Sequence, residues 1–222
     1  MAVTDKAIGA RNCAGNSFLS RRGRFARGLQ DVGRARQRDA GRQRLFATRF
    51  SSGMLEPVHE YSLQPARIAD ARRLAVMSQQ LVEAGLRPAW SASRITWHMR
   101  HPESVVLSAR HEGTTVGFAI MRYGDDVAHL NLLAVDPAHR RRGVARKIMT
   151  WLEETALTAG TFIIGLELRA TNQAAFAFYA ALGYRELGRV SGYYQGVEHA
   201  IRMARDVRTG RDAVPGLKQP AP

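Results

Sequence analysis

The segment at residues 162–168 constrains the fold of this chain more than any other, because it is almost continuously apolar. A short apolar run between turn residues is typical of a strand that other elements cover on both faces. Three further strands are predicted before it, at residues 104–110, 115–123 and 127–135. A mixed sheet with helices on both faces accommodates this set of strands.

Helical patterns alternate with the strands. We predict four helices, at residues 65–84, 93–100, 144–159 and 172–182. Ser93 and Thr171 are the predicted N-caps, and the helix ends fall at Gly85, Gly160 and Gly183. A first strand at residues 59–63 and a final antiparallel pair at residues 185–190 and 200–204 complete one α/β domain at residues 55–207.

The positive charge of the chain is concentrated near its beginning. The whole chain has a formal net charge of +14, and residues 1–53 contribute twelve Lys or Arg against three Asp or Glu. Sustained apolar periodicity is absent there, so we expect a disordered basic segment, a reading that includes a translation start at Met54. A nucleic-acid-contacting arm and a cleaved organellar presequence are the alternatives. Residues 208–222 contain Gly and Pro and are expected to form a flexible tail.

Several functional classes are disfavoured by the composition. Cys13 is the single cysteine, so no internal disulfide can form. No Cys/His cluster has the spacing of zinc ligands, and we expect no metal. No apolar run approaches the length that spans a bilayer, and no convincing apolar leader is present. We therefore expect a cytoplasmic monomer or homodimer without membrane contact.

The most specific motif joins the strand at residues 127–135 to the helix at residues 144–159, and it reads Arg140-Arg141-Arg142-Gly143-Val144-Ala145-Arg146. Gly143 permits a tight turn, after which backbone N–H groups would point outward at a helix N-terminus. That geometry binds phosphate, and the arginines add long-range attraction for a polyanion. Neither the P-loop nor the dinucleotide fingerprint is present. A basic surface turn that caps a helix is the alternative.

This stretch resembles the acyl-CoA-binding motif of the GNAT acetyltransferase superfamily, Arg/Gln-x-x-Gly-x-Gly/Ala after Val-Asp-Pro. The similarity continues through residues 166–172 and 178–184, covers roughly residues 60–205, and is greatest for the ribosomal-protein alanine N-acetyltransferase branch. Ala145 departs from the more common glycine, and residues 64–100 hardly match that branch. The resemblance implies a mostly antiparallel sheet of about seven strands with a central splayed parallel pair. It also implies acetyl transfer from acetyl-CoA to a primary amine.

The resemblance also implies roles for individual residues. Glu167 would be the general base, with a pKa raised by its apolar surroundings, and Tyr179 would be the general acid that protonates the leaving thiolate. The backbone of Leu133, Ala134 and Val135 would bind the pantetheine arm and polarise the thioester. Further cofactor contacts would come from the phosphate-binding turn at residues 140–146, from Asn172 and from Phe176. The alternatives are a rim carboxylate for Glu167 and core packing for the aromatic residues.

The acceptor side of the site is less specified by the sequence. His129 and Asn131 lie on the strand before the motif and could orient the amine or a water; a hydrogen-bonded sheet histidine is the alternative. Trp90, Tyr193 and Tyr194 could line an acceptor pocket, or they could simply pack. The sequence therefore predicts an N-acetyltransferase for a protein N-terminal amine or a small amine. The alternative is an acyl-CoA-binding sensor without turnover, whose basic segment contacts nucleic acid.

Overall fold

The computed structural model describes residues 61–208, in which seven strands form one mixed sheet. The strands are β1 (Ser62–Pro65), β2 (Ser104–His111), β3 (Thr114–Tyr123), β4 (Val127–Val135), β5 (Ile163–Arg169), β6 (Arg185–Tyr194) and β7 (Glu198–Asp206). Their order across the sheet is β1-β2-β3-β4-β5-β7-β6. The predicted order of elements and the fold class are confirmed. Predictions that fall on residues 1–60 and 209–222 lie outside the described residues.

Four helices accompany the sheet: α1 (Ala71–Leu81), α2 (Ala92–Arg100), α3 (Val144–Ala159) and α4 (Gln173–Ala181). Two N-caps differ from the prediction by one or two residues. Ser91, not Ser93, caps α2 by accepting a hydrogen bond from the Arg94 amide, and Asn172, not Thr171, caps α4 in the same way through Ala175. Each cap side chain satisfies an amide that has no partner within its helix. None of the helices in residues 61–208 is long and apolar enough to cross a membrane.

Strands β4 and β5 lie at the centre of the sheet and are the only parallel pair among the described strands. The two strands separate along their length. Only three residues of each strand are in register, from Val127 opposite Ile163 to His129 opposite Gly165. On its other edge, β4 remains paired with β3 as far as Val135. The carboxyl-terminal half of β4 therefore has a partner on one side and a gap on the other, as the resemblance implies.

The core has a separate cluster on each face of the sheet. Ile148 and Leu152 of α3 and Leu166 of β5 belong to the larger cluster. Leu74 of α1 and Phe118 of β3 belong to the smaller cluster under α1 and α2.

Strand β5 is not covered equally on its two faces, contrary to the expectation from its apolar run. One face packs Ile164, Leu166 and Leu168 into the larger cluster. The opposite face carries Gly165, which stays partly exposed, and Glu167. That face lines the candidate site instead of a second core.

Candidate active site

The gap between β4 and β5 presents backbone groups that the sheet leaves unused. The amide of Asp136 donates to the carbonyl of Val116 on β3 at 2.8 Å. Because amide directions alternate along a strand, Ala134 also turns its amide to β3, whereas Leu133 and Val135 turn theirs to the gap. Leu133 and Val135 thus fit the predicted backbone contacts. Ala134 does not, because its amide faces the neighbouring strand.

The turn at residues 140–146 follows this gap and has the backbone of an anion-binding concavity. Arg141 has φ 61° and Gly143 has φ 80°, both in the left-handed region. A non-glycine residue rarely adopts this conformation, and consecutive amides around such residues form concave nests that bind anions. Lys147 is the first residue of α3 whose backbone amide has a helical partner, since it donates to the Gly143 carbonyl at 2.9 Å. The amides of Val144, Ala145 and Arg146 have no backbone acceptor in the described chain.

The arginines of this turn divide into two groups. The Nε of Arg140 donates to the Val135 carbonyl at 3.1 Å, so this side chain holds the turn against the end of β4. Arg141, Arg142 and Arg146 are exposed at the N-terminus of α3. Their charges add to the positive end of the helix dipole and make the turn attractive to a polyanion.

Glu167 lies on β5 and is hydrogen-bonded by side chains from three other segments of the sheet. The Nε2 of His129 on β4 lies 2.6 Å from Glu167 Oε2, and the Nε of Arg202 on β7 lies 3.3 Å from Oε1. The Tyr193 hydroxyl at the end of β6 also donates to this carboxylate. The carboxylate side chain itself is 12% exposed.

The pKa of Glu167 differs from the prediction. Burial by itself would raise this pKa, but the hydrogen bond and charge of His129, with Arg202 and Tyr193, hold it below the ordinary value of 4.5. The sequence suggested only the apolar neighbours on β5, and the partners that reverse the shift are 26 to 38 positions away. Glu167 is therefore ionised throughout the neutral range.

His129 connects Glu167 to Asn131. Its Nδ1 lies 2.8 Å from Asn131 Oδ1, while its Nε2 contacts Glu167. The two ring nitrogens therefore face the side chains of Asn131 and Glu167, one on each side of the ring. The predicted pair of acceptor-side residues thus forms one chain, Asn131–His129–Glu167, on the face of the sheet that Gly165 leaves open.

Tyr179 is fully buried on α4, and its hydroxyl has no hydrogen-bond partner within residues 61–208. Burial, followed by the nearby Tyr194 hydroxyl, raises the pKa of Tyr179 well above its ordinary value, so the phenol keeps its proton. Its ring packs edge-on against Phe178 and Tyr184. Buried hydroxyls are almost always paired. The Tyr179 hydroxyl lies near that of Tyr194, whose neighbour Tyr193 contacts Glu167, so it is a candidate for contact with a ligand.

Two further predicted cofactor contacts lie on α4. Asn172 Oδ1 accepts a hydrogen bond from the Ala175 amide at 3.1 Å, which leaves the side-chain NH₂ group available to a ligand. Phe176 is half-buried and packs against the larger core cluster, which leaves part of the ring exposed.

The predicted acceptor-side aromatics have different environments. Trp90 is 1% exposed and packs under α1 and α2, with the Arg94 guanidinium 4.1 Å from its ring centre. It can affect an acceptor only through the loop that it anchors. Tyr193 and Tyr194 are buried with Leu86 of the α1–α2 loop in a third small cluster. They thus join that loop to the β6–β7 hairpin beside Glu167.

Polar contacts reinforce this junction of the two loops. The Gln195 side chain accepts the Arg87 amide at 3.1 Å and donates to the Arg87 carbonyl at 2.9 Å. Arg169 of β5 donates to the Ala84 carbonyl at 2.7 Å. The buried Glu83 carboxylate accepts hydrogen bonds from Ser78 and from the amide of Trp90. The α1–α2 loop is therefore held in a defined position, although its sequence shows no motif.

Comparison with known proteins identifies the family to which this arrangement is similar. The sequence profile of the acetyltransferase (GNAT) family matches residues 73–184, which are 112 of the 222 residues. This range contains the phosphate-binding turn, Glu167 and Tyr179. It ends before Tyr193 and Arg202.

Individual relatives agree with that match. N-alpha-acetyltransferase RimI of Mycobacterium tuberculosis is 32% identical over 131 residues, which cover 57% of this chain and 80% of that protein. The [ribosomal protein bS18]-alanine N-acetyltransferase of Salmonella typhimurium is 42% identical over 90 residues, covering 39% of this chain and 61% of that protein. The crystal structure of the Escherichia coli ribosomal-protein-S18-alanine N-acetyltransferase aligns with a TM-score of 0.59 at 27% identity, over 72% of this chain and 100% of that chain.

Proposed function

This chain belongs to the acetyltransferase (GNAT) family, and from that premise we propose that it transfers an acetyl group from acetyl-CoA to the α-amine of a protein N-terminus. The observation that carries the proposal is the buried Tyr179 hydroxyl, which has no partner within the described chain. The relatives named above act on N-terminal amines, by their names. A small-molecule amine is the other acceptor class that the test below includes.

The residues present fit the pyrophosphate and the pantetheine arm of acetyl-CoA. The amides of Val144, Ala145 and Arg146 would bind the pyrophosphate, with Arg141 and Arg142 neutralising its charge. The Leu133 and Val135 amides would bind the pantetheine arm and the thioester carbonyl, and the Asn172 NH₂ group would support the arm. When bound, the cofactor supplies an activated acyl group whose leaving group is a thiolate.

Glu167 receives the proton of the attacking amine in this scheme, directly or through one water. A lowered pKa does not disqualify it as a base. As the nitrogen bonds to the acyl carbon, its N–H becomes much more acidic than that of the free ammonium, so an ionised carboxylate can accept the proton as the bond forms. The His129 and Arg202 charges keep that carboxylate ionised and hold its orientation.

Tyr179 donates a proton to the leaving sulfur. Its raised pKa keeps the hydroxyl protonated throughout the neutral range. Because this hydroxyl has no hydrogen-bond partner within residues 61–208, it would be able to donate to the sulfur of a bound cofactor. Base and acid would thus come from different elements, β5 and α4.

A thiol-release assay with acetyl-CoA tests the proposal directly. The acceptors are peptides that differ only in their first two residues, together with a panel of small amines, and mass spectrometry locates the added acetyl group. We expect release of coenzyme A with acetylation at the peptide α-amine. Release only with small amines would mean that the acceptor is a small molecule and not a protein N-terminus. No release with any acceptor would refute the proposed activity.

Gly143→Val is expected to raise the KM for acetyl-CoA about tenfold while kcat changes little. There is room for a side chain at Gly143, but its φ of 80° is disfavoured for a β-branched residue, so the turn must relax and displace its amides. The strain costs about 1–2 kcal/mol of stability. Gly160→Val is the matched control, because Gly160 ends the same helix at φ 79° with open space around it. Equal KM values for the two variants would contradict a phosphate role for the turn.

The pH dependence of kcat/KM should follow the acceptor amine and not Glu167. Because the pKa of Glu167 lies below 4.5, the carboxylate is already ionised where an α-amine of pKa about 8 begins to lose its proton. We expect kcat/KM to rise with pH and to level off near the pKa of the amine. Profiles for two accepted amines of different pKa check this. If both amines gave the same midpoint, the titrating group would belong to the enzyme and not to the acceptor.

A further inference from the structure

Arg202 lies outside the sequence motifs, and the proposed chemistry uses only its contact with Glu167. It lies on β7 directly opposite Glu167 of β5 in the antiparallel register. Its side chain is 49% exposed, and it contacts Glu167 only through Nε, at 3.3 Å from one carboxylate oxygen. The other oxygen is occupied by His129 at 2.6 Å. A fork-to-fork pairing of the guanidinium with this carboxylate is therefore blocked.

Two other arginines in the same molecule each pair with both oxygens of one carboxylate. Arg205 places one Nη 2.9 Å from both oxygens of Glu153, and Arg110 does the same with Asp70. Both side chains are only 17% exposed. Arg202 differs in each respect, because its two Nη groups have no hydrogen-bond partner within residues 61–208 and its exposure is almost three times as large.

Open space lies beside this guanidinium. The residue opposite Arg202 on β6 is Gly188, and no heavy atom lies within 4 Å of the position that a Cβ would take there. Gly165, on the β5 side, also has no side chain and remains partly exposed. The two glycines therefore leave the sheet surface on both sides of Arg202 without side chains that would crowd a small ligand group.

We propose that Arg202 is a specificity-determining residue that binds a carboxylate carried by the acceptor within a few bonds of its reactive amine. The inference rests on the proposed acetyl transfer, since it places the amine beside Glu167. A guanidinium presents two parallel N–H groups that match a carboxylate, and it binds this group more strongly than a neutral amide. The preferred acceptors then carry an acidic first residue or are free amino acids.

Charge-matched acceptor pairs isolate this effect. Peptides that begin with Asp or Asn, and with Glu or Gln, differ by one charge at almost constant shape. Alanine and alaninamide form the corresponding pair for a free α-carboxylate, so the two series distinguish the two sources of the anion. The measured quantity is the ratio of kcat/KM within a pair. We expect a ratio of about ten in favour of the acid in at least one series.

Arg202→Met should reduce that ratio to about one, while Arg202→Lys should retain part of it because the charge remains without the fork. The ratio cancels any general effect on Glu167, which would slow both members of a pair equally. Arg189→Gln is the matched control, because Arg189 is an exposed arginine on β6 that pairs with Glu186 and is 66% exposed. The acid-to-amide ratio of this variant should equal that of the wild type. A wild-type ratio near one, or a ratio that Arg202→Met leaves unchanged, overturns the inference.

A measurement on the unmodified protein keeps the inference testable if the variants fail to fold. A half-exposed ion pair is screened by salt, so the acid-to-amide ratio should fall toward one between about 0.05 and 0.5 M ionic strength. A salt-independent ratio overturns the inference. Coenzyme A release from neutral peptides with equal acid and amide rates refutes only the role of Arg202. Absence of release from every acceptor refutes the proposed function as well.

Discussion

Replacing Tyr179 with phenylalanine is expected to lower kcat by about two orders of magnitude and to stabilise the fold at the same time. The rate falls because the substitution removes the group that is proposed to protonate the leaving sulfur. The stability rises because the hydroxyl is buried without a partner in the described chain, and an unsatisfied buried hydroxyl costs about 1–3 kcal/mol. Steady-state kinetics and thermal unfolding of the same preparation measure both effects.

Tyr184→Phe is the matched control for this variant. Tyr184 is also buried, and its ring centre lies 5.6 Å from that of Tyr179. Its hydroxyl, however, donates to Glu153 at 3.2 Å. Its removal should lower the free energy of unfolding by about 1 kcal/mol and leave the rate near that of the wild type. If Tyr179→Phe retains the wild-type kcat, Tyr179 is not the acid.

Replacing Glu167 with glutamine is expected to lower kcat/KM by about 10²- to 10³-fold at every pH. Glutamine has nearly the same shape but cannot accept the amine proton, and raising the pH cannot restore a base that does not titrate. A pH series of kcat/KM with one accepted peptide is the measurement. Full recovery at high pH would mean that deprotonation of the free amine, without Glu167, is sufficient.

Stability provides a second measurement on the same variant. Because the pKa of Glu167 is lowered in the folded state, its ionised form stabilises the fold above pH 4.5, and this contribution is lost as the pH falls through the folded-state pKa. Wild type should therefore exceed Glu167→Gln in unfolding free energy at pH 7, and the difference should shrink in acid. Glu153→Gln is the control carboxylate, because Glu153 pairs with Arg205 on the other face of the sheet and should change stability without abolishing turnover.

Much of the fold could be predicted because its signals are local. The helix at residues 144–159 was predicted with the bounds that the structure shows, since its apolar positions repeat at helical spacing and Gly143 and Gly160 adopt the left-handed conformation at its two ends. The phosphate-binding turn is local for the same reason. The caps of α2 and α4 were misplaced because several small polar residues stand next to one another there, and only backbone geometry selects among them.

The surroundings of Glu167 could not be predicted from any local pattern. Its position on β5 was evident, but its pKa follows from His129 on β4 and Arg202 on β7, which are 38 and 35 positions away. The prediction of a raised pKa counted only burial, which is the one contribution visible from the neighbours in sequence. Trp90 illustrates the same limit, because an aromatic residue in a loop can face an acceptor or a core.

The sequence by itself determined the order of elements, the anion-binding turn and the identity of the two candidate proton-transfer residues, because each depends on residues within a few positions of one another. Tertiary structure alone decided where β4 and β5 separate, which side chains surround Glu167, and that the Tyr179 hydroxyl has no hydrogen-bond partner within residues 61–208. Those features depend on the register between strands that are distant in the chain. That register is set by the packing of the whole sheet and not by any segment of it.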